Sequence, residues 1–168
     1  MLKQISITFG SYAILNQLRE KHSDRQQLLV QSANTNDAIA LIDGSGQKNI
    51  FKSGVVYDIK AHAGDSDWNK NFYSFIYLKN LSPDDQKVFN ATANQLVNSP
   101  ELPQGMQAIY FMIELNNSGN NIILTTWTDT QEFNSWTHND EYARFKGFDT
   151  PLHDYRIVTY FKYVENNK

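Results

Sequence analysis

The side chains best suited to chemistry gather in one stretch, Ile122 to Lys146, IILTTWTDTQEFNSWTHNDEYARFK, which carries Trp127, Trp136, His138, Tyr142 and Lys146. An indole offers a broad apolar face to a flat ligand. An imidazole is the commonest side-chain ligand for a metal, and a lysine supplies a cation for a carboxylate. Four His residues are candidates for ligation: His22, His62, His138 and His153. His22 closes a polar helix end and reads as a surface residue. His62 reads as the last residue of a helix, where the dipole favours a cation. His138, two positions from Trp136, points to a different face of the same expected helix. His153 follows Pro151 in the loop before the last expected strand. For each of the four, an ordinary structural role outweighs ligation. Tyr142 and Met112 read as core first and as ligands second, and Trp127 reads as core. The acidic pairs Asp84-Asp85 and Asp140-Glu141 read as dipole-compensating or solvated helix residues rather than as an acid-base pair.

Composition narrows the chemistry further. A chain of 168 residues with 40% hydrophobic content suits one domain or two small, tightly packed ones. The net charge of -3, with Lys and Arg scattered, gives no footprint for nucleic acid or an anionic membrane, so neither partner is expected. The absence of Cys excludes a disulfide framework, a thiolate nucleophile, an iron-sulfur site and Cys-ligated haem, and fits a reducing cytoplasm. No apolar run approaches the roughly 20 residues a membrane helix needs, and MLKQISITFG does not read as a signal peptide. The expected location is the cytoplasm. No catalytic triad, phosphate loop, dinucleotide fingerprint or metal-ligand cluster occurs. Nine Tyr, ten Phe and three Trp, concentrated after residue 68, suit a flat apolar small molecule and equally suit a core of large side chains.

The elements that must position these residues follow from periodicity. Lys3 to Phe9 alternates as a strand, and Ser11 caps a helix carrying Ile14, Leu15 and Leu18. Leu28 to Val30 and Ala38 to Ile42 predict two short strands, Asn49 to Lys52 a third, and Val55 to His62 a helix. AGDSDWN, residues 63 to 69, predicts a boundary between an N-terminal α/β unit (1–66) and a C-terminal domain (67–168). In the second unit Phe72 to Leu78 is a strand. Ser82-Pro83-Asp84-Asp85 starts a helix with Val88, Phe89, Ala93, Leu96 and Val97 as its inward stripe. Gln107 to Leu115 and Asn121 to Thr128 pair through the turn NNSGNN. Asp129 and Glu132 form a capping box for the next helix, and Tyr155 to Tyr163 closes the set. Strands as continuously apolar as AIYFMIEL require both faces covered, one by helices and the other by a second sheet. The pattern predicts an α+β, ferredoxin-like unit whose sheet curls into a barrel with the N-terminal half of the same chain. A barrel so completed predicts a monomer.

SITFGSYAILNQLREKH, IDGSGQKNIFKSGVVYDI, the segment around Trp127 and Trp136, and YRIVTYFKYVE together resemble the HmoB and TRAP group of antibiotic-biosynthesis-monooxygenase (ABM) domain proteins. The resemblance covers nearly the whole chain. It implies an ABM domain of the dimeric α/β barrel type, related to IsdG-type haem-degrading monooxygenases. In those members a proximal His binds iron, an Asn near the first ABM strand bonds the distal oxygen ligand, and a Trp ruffles the macrocycle. Trp136 matches the Trp. The His, ten residues on, is Lys146 here, and the Asn position falls near Tyr77 or Leu78, with Asn80 the nearest Asn. The resemblance thus implies haem as the cofactor, with Trp136 as catalytic residue and Trp136, Lys146 and His153 about the ligand. Lys146 would pair with a haem propionate or stand as a solvated helix-end cation. His153 would swing toward the barrel mouth. Two other readings stay open: a non-catalytic, TRAP-like stress or signalling protein, and a cofactor-independent monooxygenase acting on a small aromatic substrate.

Overall fold

Ile5 and Ile7 of the first strand, β1 (Gln4–Gly10), point into the interior of a closed eight-stranded antiparallel barrel. The computed structural model describes residues 2–34 and 38–165. After β1 come α1 (Tyr12–Lys21), β2 (Gln27–Ser32), β3 (Ile39–Asp43), β4 (Val55–Gly64), β5 (Phe72–Lys79), α2 (Pro83–Val97), β6 (Met106–Glu114), β7 (Asn117–Trp127), α3 (Thr130–Trp136), α4 (Asp140–Lys146) and β8 (Arg156–Lys162). The strand order is β1-β3-β2-β8-β5-β7-β6-β4, and β4 returns to pair with β1. Four strands come from each side of the expected boundary. They are joined through β4 with β6 and β2 with β8, so no strand of the ring has a free edge.

Apolar strands demand cover on both faces, and the barrel supplies it in two layers. Ile5, Ile7, Val30, Tyr57, Tyr73, Phe75, Tyr110, Met112, Leu124 and Tyr160 fill the interior. Outside, Ile76, Leu78, Ile109, Phe111, Ile123 and Trp127 meet the helices through Phe89, Leu96, Phe133, Trp136, Tyr142 and Phe145. A smaller cluster of Leu15, Leu29, Leu41 and Phe51 seats α1 on the N-terminal strands. Ser11 caps α1, and Ser82 caps α2 by accepting from the Asp85 N–H at 3.1 Å, with Pro83 in the first turn. Phe89, Ala93 and Leu96 are the buried stripe of α2, and burial of Phe89 and Leu96 stabilises by roughly 1.5–3 kcal/mol each. Val88 lies off that stripe at 58% exposure, and Ile14 of α1 is likewise exposed, because neighbouring helical positions differ by about 100°.

Four local expectations are corrected. Val55 to His62 is strand, not helix: a β-bulge between Ile59 and Ala61 shifts the pleat, so Tyr57 and Ile59 face the interior while Ala61 and Ala63 face the helices. Asn49 to Lys52 is not a strand. The Asn49 side chain accepts from the Phe51 N–H at 2.9 Å and donates to the Phe51 carbonyl, taking both groups from any ladder. The turn after β6 is only Leu115-Asn116, and most of NNSGNN continues as β7. The helix expected to hold both Trp136 and His138 ends at Trp136, and a second helix, α4, starts at Asp140 after the break at Thr137–Asn139.

Candidate functional site

The end of β7 delivers the chain to α3 through Asp129, whose carboxylate accepts from the Glu132 N–H at 2.9 Å. The Glu132 side chain does not complete the reciprocal box and accepts from Gln104 at 3.2 Å instead. After Trp136 the helix stops, because Asn139 captures the Tyr142 N–H at 3.0 Å and starts α4 in a new direction. This break fixes the geometry about Trp136. Its indole is 2% exposed, lies 5.4 Å from Trp127 and meets the Tyr142 ring edge-on at 4.9 Å. Trp127 donates its Nε1–H to Thr125 Oγ1 at 2.8 Å, whereas the Trp136 Nε1 is buried without a hydrogen-bond partner. Phe145 extends the same layer, 6.1 Å from Phe89 and 6.3 Å from Phe111, and Phe89 meets Phe148 at 5.6 Å.

Lys146 is exposed, with its Nζ 5.9 Å from the centre of the Tyr142 ring. Trp136 and Lys146 therefore converge on Tyr142, one from the core and the other from solvent. His153 is not part of that group. It sits in a short 3₁₀ turn, 6% exposed, with Nδ1 3.0 Å from the Lys79 carbonyl and its ring 6.3 Å from Phe148. Asn80, in a left-handed backbone conformation at φ 60°, donates to the Leu152 carbonyl and is occupied by that loop contact. Tyr77 turns into the barrel beneath the Arg156 guanidinium at 4.6 Å, while Leu78 turns into the helix-covered layer. None of the three therefore offers an amide to the helix-covered layer: Tyr77 turns its phenol into the barrel, Leu78 is apolar and Asn80 is held by the loop.

The other His residues lie apart. His22 is the C-cap of α1. His138 is exposed in the break after Trp136, its Nδ1 2.7 Å from the Asn134 carbonyl. His62 lies on β4 with its ring stacked on Tyr110 at 4.4 Å, and burial pushes its imidazole below the ordinary 6.5. Burial also raises the phenols of Tyr142 and Tyr155, whose hydroxyls are 2.7 Å apart, so both stay neutral and bonded to one another at pH 7. Among the described residues, no group of three or more His, Cys, Asp or Glu could hold a metal ion, and no helix is long and apolar enough to cross a membrane.

The residues that the resemblance marks do not converge on one iron site. Trp136 carries an N–H and no lone pair, Lys146 faces solvent beside the Tyr142 ring, and the His153 ring, with Nδ1 3.0 Å from the Lys79 carbonyl and Nε2 as its remaining nitrogen, lies against Phe148 rather than with Trp136 and Tyr142. The open space touching Trp136, about 540 Å³, is bounded by Gln104, Gln131, Glu132, Ser135 and Asn139, a polar surface recess rather than an apolar slot. Sequence reasoning missed Trp68, which it took for part of a connecting segment. Trp68 also stacks on Tyr110, at 5.0 Å, and the available signal was a lone indole in the otherwise polar run AGDSDWN.

No protein-family model matches the sequence, and no curated protein matches it. Solved structures do match along nearly the full length. A major regulator of staphylococcal pathogenesis is 11% identical, with 96% of this chain and 100% of that one covered at a TM-score of 0.76. A haem-degrading enzyme from Listeria monocytogenes is 15% identical, with coverage of 96% and 100% and a TM-score of 0.71. A ferredoxin-fold protein from Listeria monocytogenes, related to antibiotic biosynthesis monooxygenases, is 16% identical, with 96% of each chain covered and a TM-score of 0.71. The chain therefore has the ferredoxin-like α+β fold of the ABM-domain, monooxygenase-like proteins, closed here into a single-chain barrel.

Proposed function

We propose that this protein is a non-catalytic, TRAP-like binding protein on a monooxygenase-like fold, and that it does not turn over haem. The observation that carries the reading is the closure of Trp136 between Trp127 and Tyr142. An indole packed against two rings in the core is not free to press on a macrocycle, and the neighbouring Tyr142 hydroxyl is bonded to Tyr155. The full-length likeness to the staphylococcal regulator supports the same reading. On this account the chain acts as a cytoplasmic monomer, with residues 1–66 serving to close the barrel of the domain at 67–168.

The test is a titration of haem into the purified protein, followed by addition of an electron donor in air. No saturable Soret shift is expected at micromolar protein. A saturable shift followed by decay of the band would overturn the proposal in favour of the haem-degrading reading that the Listeria enzyme puts forward.

A second reading, a cofactor-independent monooxygenase for a small aromatic, is favoured by one specific recess. A pocket of about 280 Å³ between α2 and the sheet is walled by Phe89, Phe111 and Met112, with Asn90, Asn94 and Asn121 as amide partners. Oxygen consumption on adding a polycyclic phenol to the metal-free protein would support that reading and displace the non-catalytic one.

A further inference from the structure

A pocket of about 680 Å³ opens away from the helix-covered layer, between the start of β1, the segment after α1, the loop following β3, and the end of β4 with the segment leading to β5. Its built wall is a cluster of three rings. Tyr110 is common to both contacts, with His62 stacked on it at 20° and Trp68 at 21°. Tyr110 is held inside the barrel, while His62 and Trp68 both border the pocket. Trp68 is 4% exposed, yet its Nε1–H has no acceptor, and the His62 Nε2 is also buried without a partner. Two unpaired ring nitrogens beside one cavity are costly in a folded chain and mark a place where a partner is missing.

The facing wall is rigid. Asp43 accepts from Arg25 Nη1 at 2.8 Å, from the Ser45 N–H at 2.9 Å and from the Ser45 hydroxyl at 2.6 Å, and Arg25 also donates to the Lys48 carbonyl. This network pins the Gly44–Gln47 segment against the indole. A Cβ at Gly44 would stand 2.3 Å from the Trp68 Nε1, so only glycine lets the backbone approach so closely. The rim carries one cation, Lys3, and one anion, Asp24, together with the polar side chains of Gln26, Gln47 and Ser66. Opposed charges give little net field for an ion, while stacked rings and amides suit a flat molecule with donors and acceptors along its edge.

We propose that this pocket is a small-molecule site for a neutral, planar, purine-type heterocycle, held between the His62 and Trp68 side chains that border the cavity, with its polar edge toward the Gly44–Gln47 loop. The inference does not depend on whether the helix-covered layer binds haem. The two have separate readouts, visible absorbance for haem and indole N–H resonances here, so either can fail alone.

The experiment is a titration of the ¹⁵N-labelled full chain with guanosine and adenosine, with glucose as control, following the three indole N–H signals, the Trp68 signal being assigned from Trp68→Phe. A saturable shift of the Trp68 signal is expected with at least one nucleoside, with Trp127 and Trp136 unmoved and glucose without effect. His62→Ala should weaken the binding at least tenfold. Gln47→Trp, on the exposed rim, should block it without disturbing the fold, which keeps the test decisive if His62→Ala does not fold. Absence of a saturable Trp68 shift, an equal response to glucose, or unchanged binding in Gln47→Trp would overturn the proposal.

Discussion

The indole planes of Trp136 and Trp127 meet at 45° with their centres 5.4 Å apart, and Tyr142 meets the Trp136 ring edge-on at 4.9 Å. The residue that the family resemblance marks for ligand contact is here a wedge between strand and helix. Its position follows from the Asn139 cap, which ends α3 one turn early for a continuous helix and folds Tyr142 back over the ring.

Trp136→Ala should therefore behave as a core truncation, lowering stability by about 3–5 kcal/mol in urea unfolding. Trp136→Phe should lose appreciably less, because it keeps most of the apolar volume. A midpoint for Trp136→Ala indistinguishable from that of the parent protein would show that the ring is not clamped.

Lys146 sits on the solvent side of Tyr142 at 5.9 Å. Lys146→Ala should change stability by no more than about 0.5 kcal/mol, as expected for an exposed position away from any network. Lys146→His should leave the protein unable to bind haem, since the imidazole would project to solvent rather than into the aromatic layer. A haem spectrum gained by Lys146→His would mean that the layer opens and that the family pocket is retained.

Asp43 is 3% exposed and joins Arg25 to the loop after β3. Asp43→Ala leaves a largely buried guanidinium without its carboxylate, and the loss of one partner of such a pair costs about 3–5 kcal/mol. Thermal unfolding measures it. A change below about 1 kcal/mol would place the pair among ordinary surface ion pairs.

Stability should fall at both ends of the pH scale for different reasons. Burial raises the phenols of Tyr73, Tyr77, Tyr110 and Tyr160 above the ordinary 10.0 and pushes Tyr57 up to about 12. Above pH 10.0 the unfolded chain releases these protons before the folded one does. The stability they confer is thus intact below 10.0 and declines as pH rises above it, the Tyr57 contribution being lost through about 12. His62 acts at the other end: its folded value is depressed below 6.5, so its contribution is present above 6.5 and declines as pH falls. Melting temperature against pH, with tyrosinate absorbance recorded in parallel, checks both limbs. Tyrosinate absorbance that rises fully near pH 10 in the folded protein would contradict the burial of these phenols.

Much of this fold was legible because the strongest signals are local. The alternation through Ile5 and Ile7, the Ser82-Pro83 helix start and the apolar run of β6 each depend on few neighbours, and all three appear where the sequence places them. The misreadings arose where one residue redirects the backbone. The bulge between Ile59 and Ala61 hides the period of β4, and Asn49 satisfies the Phe51 backbone itself. Asp140 and Glu141 were read as compensating a helix dipole and do lie in the first turn of α4, but the break that Asn139 makes between Trp136 and that turn was not foreseen. Counting from Trp136 to Lys146 across that break joins two residues on different helices.

The site was less legible than the fold because it depends on contacts between distant segments. Nothing near His62 or Trp68 in sequence announces that both will stack on Tyr110, more than one strand away. Likewise, Asn80 is the nearest Asn to the family position, but its left-handed backbone and its bond to Leu152 commit it to a loop.

The central claim is that the layer around Trp136 is a packed core and not a haem pocket. Its most direct test is the Soret titration of the unmodified protein with haem: the account predicts no saturable shift at micromolar concentrations and no band decay on adding reductant in air. A saturable Soret band that decays under those conditions would contradict it.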